Sequence, residues 1–212
     1  MESEKGRRLI YFPIVHTEID MGMLGDSIQE AALHKFGRTA LKRKAMAIDK
    51  MWLDIEKAIE ALHLDYRNVR LFQDGLPVCG RELEIVKDLA GAGSRNHLLL
   101  LKLIERGAVI MGTEFAELLV EEYQLAKQIM TGLKTPGRVN LQPGQKALSE
   151  SLLEKRDRFI AGRIDASLLA GETGILFLGM LHSVERWLDR EIRVLYPVSR
   201  PVARGGDEYV RL

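Results

Sequence analysis

Short runs that are apolar at successive positions alternate along the chain with longer stretches in which apolar residues recur every three or four positions. Runs of the first kind read as strands covered on both faces, as in a parallel sheet, and the longer stretches read as helices packed on it. Strands are expected at residues 9–15, 68–73, 108–111 and 175–178, the last of these within the stretch 171–182, with a further one at 192–196. The run at 171–182 has the clearest form: Ile175, Leu176, Phe177 and Leu178 lie between Gly174 and Gly179, and His182 follows. Ser183 is placed to cap a short helix behind it. Pro13 lacks a ladder donor, so the first strand must run at an edge or lose its pairing there.

Between these strands, Asp26 or Ser27 starts a helix that stops near Gly37. The spacing Leu41, Ala45, Ile48, Trp52, Ile55, Ile59, Leu62 then predicts a helix of about six turns with one apolar stripe. That stripe suits packing on the sheet better than a coiled-coil seam. Further helices are expected over 81–90, from a Ser94 cap to Arg106, over 115–130 and over 145–169. Residues 135–144, with two Pro-Gly pairs, read as a loop or a lid near the site. The fold class expected is α/β: a small, mostly parallel sheet flanked by helices, with helical insertions. Residues 1–197 form one domain and residues 198–212 a C-terminal tail.

Composition narrows the classes of partner. Hydrophobic residues make up 46% and charged residues 29%, and the net charge is +1, so nothing electrostatic calls for nucleic acid or an anionic membrane. One cysteine, Cys79, excludes an internal disulfide and fits a reducing compartment. No apolar run has the length of a signal core or a membrane span, and the cytoplasm is the expected location. Homo-oligomerisation stays open.

Ligands of open α/β sheets bind beyond the carboxyl ends of the strands. His16 and Glu18 follow the first strand there, Asp74 the second, Glu114 the third and His182 the run at 171–182. Arg156 and Arg158, on the helix over 145–169, reach the rim or pair with Glu154 and Asp157. Two imidazoles with carboxylates suit a divalent metal, manganese or zinc, held by His16, Glu114 and His182. They equally suit metal-free acid–base work, and each residue taken singly suits a solvated turn. If both histidines end parallel strands, they share one rim, and alanine at 182 leaves the melting temperature nearly unchanged. Elsewhere, His97 suits packing or surface, His34 and His63 lie near helix ends, and Lys42, Arg43 and Lys44 form a solvated helix start. Cys79 has no second cysteine, and Gly91-Ala-Gly93 follows a helix rather than a strand, which is poor for a phosphate loop.

The segments Leu153-Glu-Lys-Arg-Asp-Arg-Phe-Ile-Ala-Gly-Arg-Ile164 and Gly174-Ile-Leu-Phe-Leu-Gly-Met-Leu-His182 together resemble the C-terminal half of the TraB/Tiki superfamily, in which a helix bearing an Arg-Asp or Arg-Asn pair precedes a strand ending in Gly-x-x-His. The superfamily's other Gly-x-x-His corresponds to Pro13-Ile-Val-His16, and Asp74 stands where glutamate is usual. Erythromycin-esterase-like and ChaN-like proteins share the layout. The resemblance implies an α/β fold with a histidine–carboxylate–arginine cleft and, for Tiki proteins, a divalent-metal-dependent peptidase activity. Two readings result. One is a hydrolase, peptidase- or esterase-like, acting on a small molecule or peptide through His16, Asp74, Glu114, Arg156 and His182. The other is a binding module with a degenerate site, which the proline at 13 and the aspartate at 74 favour.

Overall fold

A computed structural model describes residues 6–15, 25–131 and 142–198 of the chain. Its core is one sheet of five strands, all parallel, in the order β3-β2-β4-β1-β5. The strands are β1 (Arg8–Ile14), β2 (Val69–Gln73), β3 (Val109–Met111), β4 (Thr173–Gly179) and β5 (Arg193–Leu195). The α/β class follows, and the strands expected near residues 9, 69, 109 and 175 are neighbours in one sheet. β4 is central because all but one of its seven positions are buried, which only a strand covered on both faces achieves.

Helix α1 (Gly25–Ala61) carries the chain from β1 to β2 and joins both helices expected on either side of Gly37. Gly37 marks the join: its φ of 73° and ψ of 165° break the helical path at a conformation in which a side chain is strained. The stripe on α1 is buried from Trp52 through Ile55 and Ile59, against Phe12, Leu71 and Phe177. Leu41, Ala45 and Ile48 are not fully buried, so the stripe runs on past the part of the helix that packs on the sheet. Lys42, Arg43 and Lys44 are exposed, as a solvated helix face requires.

Helices α2 (Glu82–Gly91) and α3 (Arg95–Glu105) lie between β2 and β3, and Ser94 caps α3 by accepting the backbone N–H of His97. Helix α5 (Pro143–Ser167) covers the opposite face, where Ile160, Ile164 and Leu168 meet Leu9, Tyr11, Leu176 and Leu178. Helix α4 (Ala116–Thr131) packs on α5 through Leu125, Ile129 and Leu152.

Three expectations change. Pro13 does pair, opposite Leu178 of β4; it is tolerated because β5 pairs only with Arg8, Leu9 and Ile10, which leaves the rest of β1 open on that side. The second Pro-Gly pair does not belong to a loop: Pro143 is in the first turn of α5, where a missing N–H costs nothing, and a Gln142–Gln145 capping box closes the helix start. The remainder of the expected lid, residues 135–141, lies outside the described residues. Ser183 precedes a single 3₁₀ turn, Val184–Arg186, rather than a helix, and its side chain does not cap it. Residues 199–212 of the expected tail also lie outside. Among the described residues no helix is long and apolar enough to cross a membrane.

Candidate functional site

The carboxyl ends of β2, β3 and β4 bring together five charged side chains that are each at most 8% exposed: Asp74, Glu114, Arg156, Asp157 and His182. Backbone links hold the first two. The N–H groups of Thr113 and Glu114 donate to the carbonyl of Leu76 at 2.9 and 3.0 Å, and Val78 N–H donates to the carbonyl of Glu114 at 2.9 Å. Gly112 permits this closeness, because a Cβ there would stand 2.6 Å from the Cα of Val78. The Asp74 and Glu114 loops are therefore tied into one unit by backbone hydrogen bonds.

Arg156 projects from α5 into this unit. Its Nε donates to Glu114 Oε2 at 2.6 Å, and its Nη2 donates to Glu114 Oε1 at 2.6 Å and to Asp74 Oδ1 at 2.7 Å. Its Nη1 donates to Glu122 Oε2 of α4 at 2.5 Å. Glu114 Oε1 also accepts the Gly75 N–H at 2.8 Å, and Asp74 Oδ2 accepts the Gly179 N–H at 2.8 Å. Burial alone would lower the arginine's pKa; the hydrogen bond and charge of Glu114, with the charges of Asp74 and Glu122, outweigh it, so Arg156 is a fixed cation. Burial pushes the Glu114 carboxyl above the usual range against the pull of Arg156, and the charge of Asp74 pushes the same way.

His182 sits between two carboxylates. Its Nδ1 lies 2.6 Å from Asp157 Oδ1, and its Nε2 lies 3.6 Å from Asp74 Oδ2. Asp157 Oδ2 accepts the Ser183 N–H at 2.9 Å, so that carboxylate is held at both oxygens. Burial pulls the His182 pKa down, but the charge of Asp74 and the hydrogen bond to Asp157 win, and it rises above its ordinary value. A carboxylate on Nδ1 fixes that nitrogen as the donor and leaves Nε2 to exchange a proton at the strand ends.

Asp74, Glu114, Arg156 and His182 thus meet as the strand-end pattern predicts, whereas His16 and Glu18 lie outside the described residues. The strand that precedes His16 is the direct neighbour of β4, with Ile14 opposite Gly179. One expectation is corrected. His182 is 4% exposed rather than a solvated rim residue, so its removal costs stability. Glu114 turns both carboxylate oxygens to Arg156, so a metal ion held by this residue would share them with the guanidinium. Among the described residues no group of three or more His, Cys, Asp or Glu side chains is disposed to hold a metal ion.

Two members of the assembly escaped the strand-end pattern. Asp157 reads as Arg156's helix neighbour, yet it turns to His182. Glu122 reads as one acid among many on α4, where no spacing singles it out. Arg158 instead pairs with Glu154 at 2.7 Å and lies over the Trp187 ring, 4.1 Å from its centroid. His97 is buried beside the Ser94 hydroxyl, and Cys79 is exposed.

Fold and site together define a parallel α/β domain with a buried histidine–carboxylate–arginine assembly at its strand ends. No family model, no curated protein and no solved structure matches the chain in the comparisons made.

Proposed function

We propose that the chain is a hydrolase whose acid–base residue is His182, acting on a small-molecule or peptide substrate and assisted by Asp157, Asp74, Glu114 and Arg156. The observation that carries this reading is the 2.6 Å contact between Asp157 and the His182 Nδ1, which leaves Nε2 beside Asp74 at the carboxyl edge of the sheet. In that tautomer Nε2 takes a proton from an attacking water and returns it to the leaving group, while Asp157 balances the imidazolium. Arg156 acts as a positioning residue: it holds Asp74 and Glu114 in place and is engaged by the protein's own carboxylates rather than by a substrate anion. A divalent cation, manganese or zinc, would be held by His182 Nε2 together with His16 and Glu114 and would supply a polarised water. The TraB/Tiki resemblance supports the same reading, and the single cysteine fits a cytoplasmic location.

A binding module is the second reading, and one observation favours it: the carboxylates around Arg156 are matched so closely that the cluster also serves as a structural lock. Release of p-nitroaniline and p-nitrophenol from a panel of peptide anilides and acyl esters, with EDTA, manganese or zinc, separates the two. The hydrolase reading expects turnover with at least one panel member that falls at least 100-fold in His182→Asn. Absence of turnover under every condition would favour the module.

A further inference from the structure

The face of the sheet opposite α5 holds polar atoms that the charged assembly does not use. Gln73 is the last residue of β2 and is 1% exposed; its Nε2 donates to the Asp74 carbonyl at 3.1 Å, but its Oε1 is buried without a partner. Trp52, on α1, is 4% exposed, and its Nε1 is likewise buried without a partner. Both flank one residue of β4. Gln73 stands opposite Phe177 in the sheet, and the Trp52 ring centroid lies 6.3 Å from that of Phe177. Directly paired residues of neighbouring strands point to the same face about 4.8 Å apart, so the Gln73 amide and the Trp52 indole border the same ring. Asn96, in the first turn of α3, adds an amide buried without a partner at either end, and the adjacent Arg95 pairs with Asp49, one turn before Trp52.

Each such atom has given up its hydrogen bonds to water without a replacement in the protein. An indole N–H can only donate, and Gln73 Oε1 can only accept. Around Phe177 there is thus one unmet donor and one unmet acceptor, both neutral. We infer that Trp52 and Gln73 form a neutral subsite on the face of the sheet opposite α5, at the strand end that leads into Asp74, where they read an amide group of the substrate. The amide carbonyl accepts from Trp52 Nε1 and the amide N–H donates to Gln73 Oε1. An ester of the same shape lacks the second contact, and a carboxylate or an ammonium would bring an uncompensated charge into an apolar wall of Phe12, Ile14 and Leu76. The assignment of the ligand as substrate rests on the hydrolase reading; the subsite itself does not.

The test uses the full chain labelled with nitrogen-15 and follows the indole N–H resonances of Trp52 and Trp187. Trp187 is the internal control, since its Nε1 is also buried and unpartnered but its ring lies under Arg158 of α5. N-methylacetamide is titrated against methyl acetate, matched in shape but lacking the N–H. Saturable movement of the Trp52 signal with the amide is expected, at least fivefold weaker with the ester, with Trp187 still. Gln73→Met should abolish saturation, and His182→Asn should retain it. Equal responses to both probes, no response, or an undiminished response in Gln73→Met would overturn the subsite. Loss of turnover dependence on His182 would instead overturn the hydrolase reading and leave the subsite standing.

Discussion

Arg156 is the residue on which the strand ends depend. Removing its charge leaves Asp74, Glu114 and Glu122 facing one another, two of them dry. Arg156→Met should cost about 3–5 kcal/mol in urea unfolding at neutral pH. The loss should shrink in acid, where the abandoned carboxylates take up protons. A loss under about 1 kcal/mol would mean that the cluster is more hydrated than its burial indicates. His182 has its own pH dependence. Its folded pKa is raised above the ordinary 6.5, so its contribution is complete below that value and fades as pH rises through the folded pKa. The melting-temperature gap between the wild type and His182→Asn should therefore be widest below pH 6.5 and narrow above it. A gap that widens with pH would contradict the raised pKa. Asp74, Glu114 and His182 were legible because a strand's end is visible in one dimension. Asp157 was not, because a helix neighbour of Arg156 gives no sign of which strand end it faces.

Glycines and short loops set the site at the level of elements. At Gly112 a Cβ would stand 2.6 Å from the Val78 Cα and 3.0 Å from the Pro77 carbonyl oxygen, both backbone atoms with little freedom to retreat. Gly112→Ala should push the β3 end from the segment after β2 and lengthen the Glu114–Arg156 contact. We expect a loss of about 1–3 kcal/mol, measured by chemical denaturation, with a matching fall in turnover. Unchanged stability and turnover would show that the two loops are not rigidly joined. The elements themselves were readable, since every strand run and every apolar period became the expected structure. What the pattern misjudged was local: Pro13 sits in the ladder because its partner strand is short, and Pro143 opens a helix because the capping box outweighs the loop character of Pro-Gly.

At the scale of the molecule, strand order decides what meets. β4 enters between β1 and β2, so the last long strand in sequence delivers His182 to the middle of the sheet, beside Asp74 from the loop after β2. Hydropathy points to parallel strands, buried at β1, β2 and β4, but carries no information on their order, which is why the convergence was an expectation rather than a reading. The proposed hydrolase reading takes that convergence to make His182 an acid–base centre rather than a buried structural ion. The most direct test is the pH profile of kcat/KM for the best panel substrate in the wild type and in Asp157→Asn, with folding checked by circular dichroism. The account predicts a limb set by a histidine raised above 6.5 in the wild type, moved to lower pH and with at least tenfold lower rate when Asp157 no longer holds Nδ1. An identical profile and rate in the two proteins would contradict it.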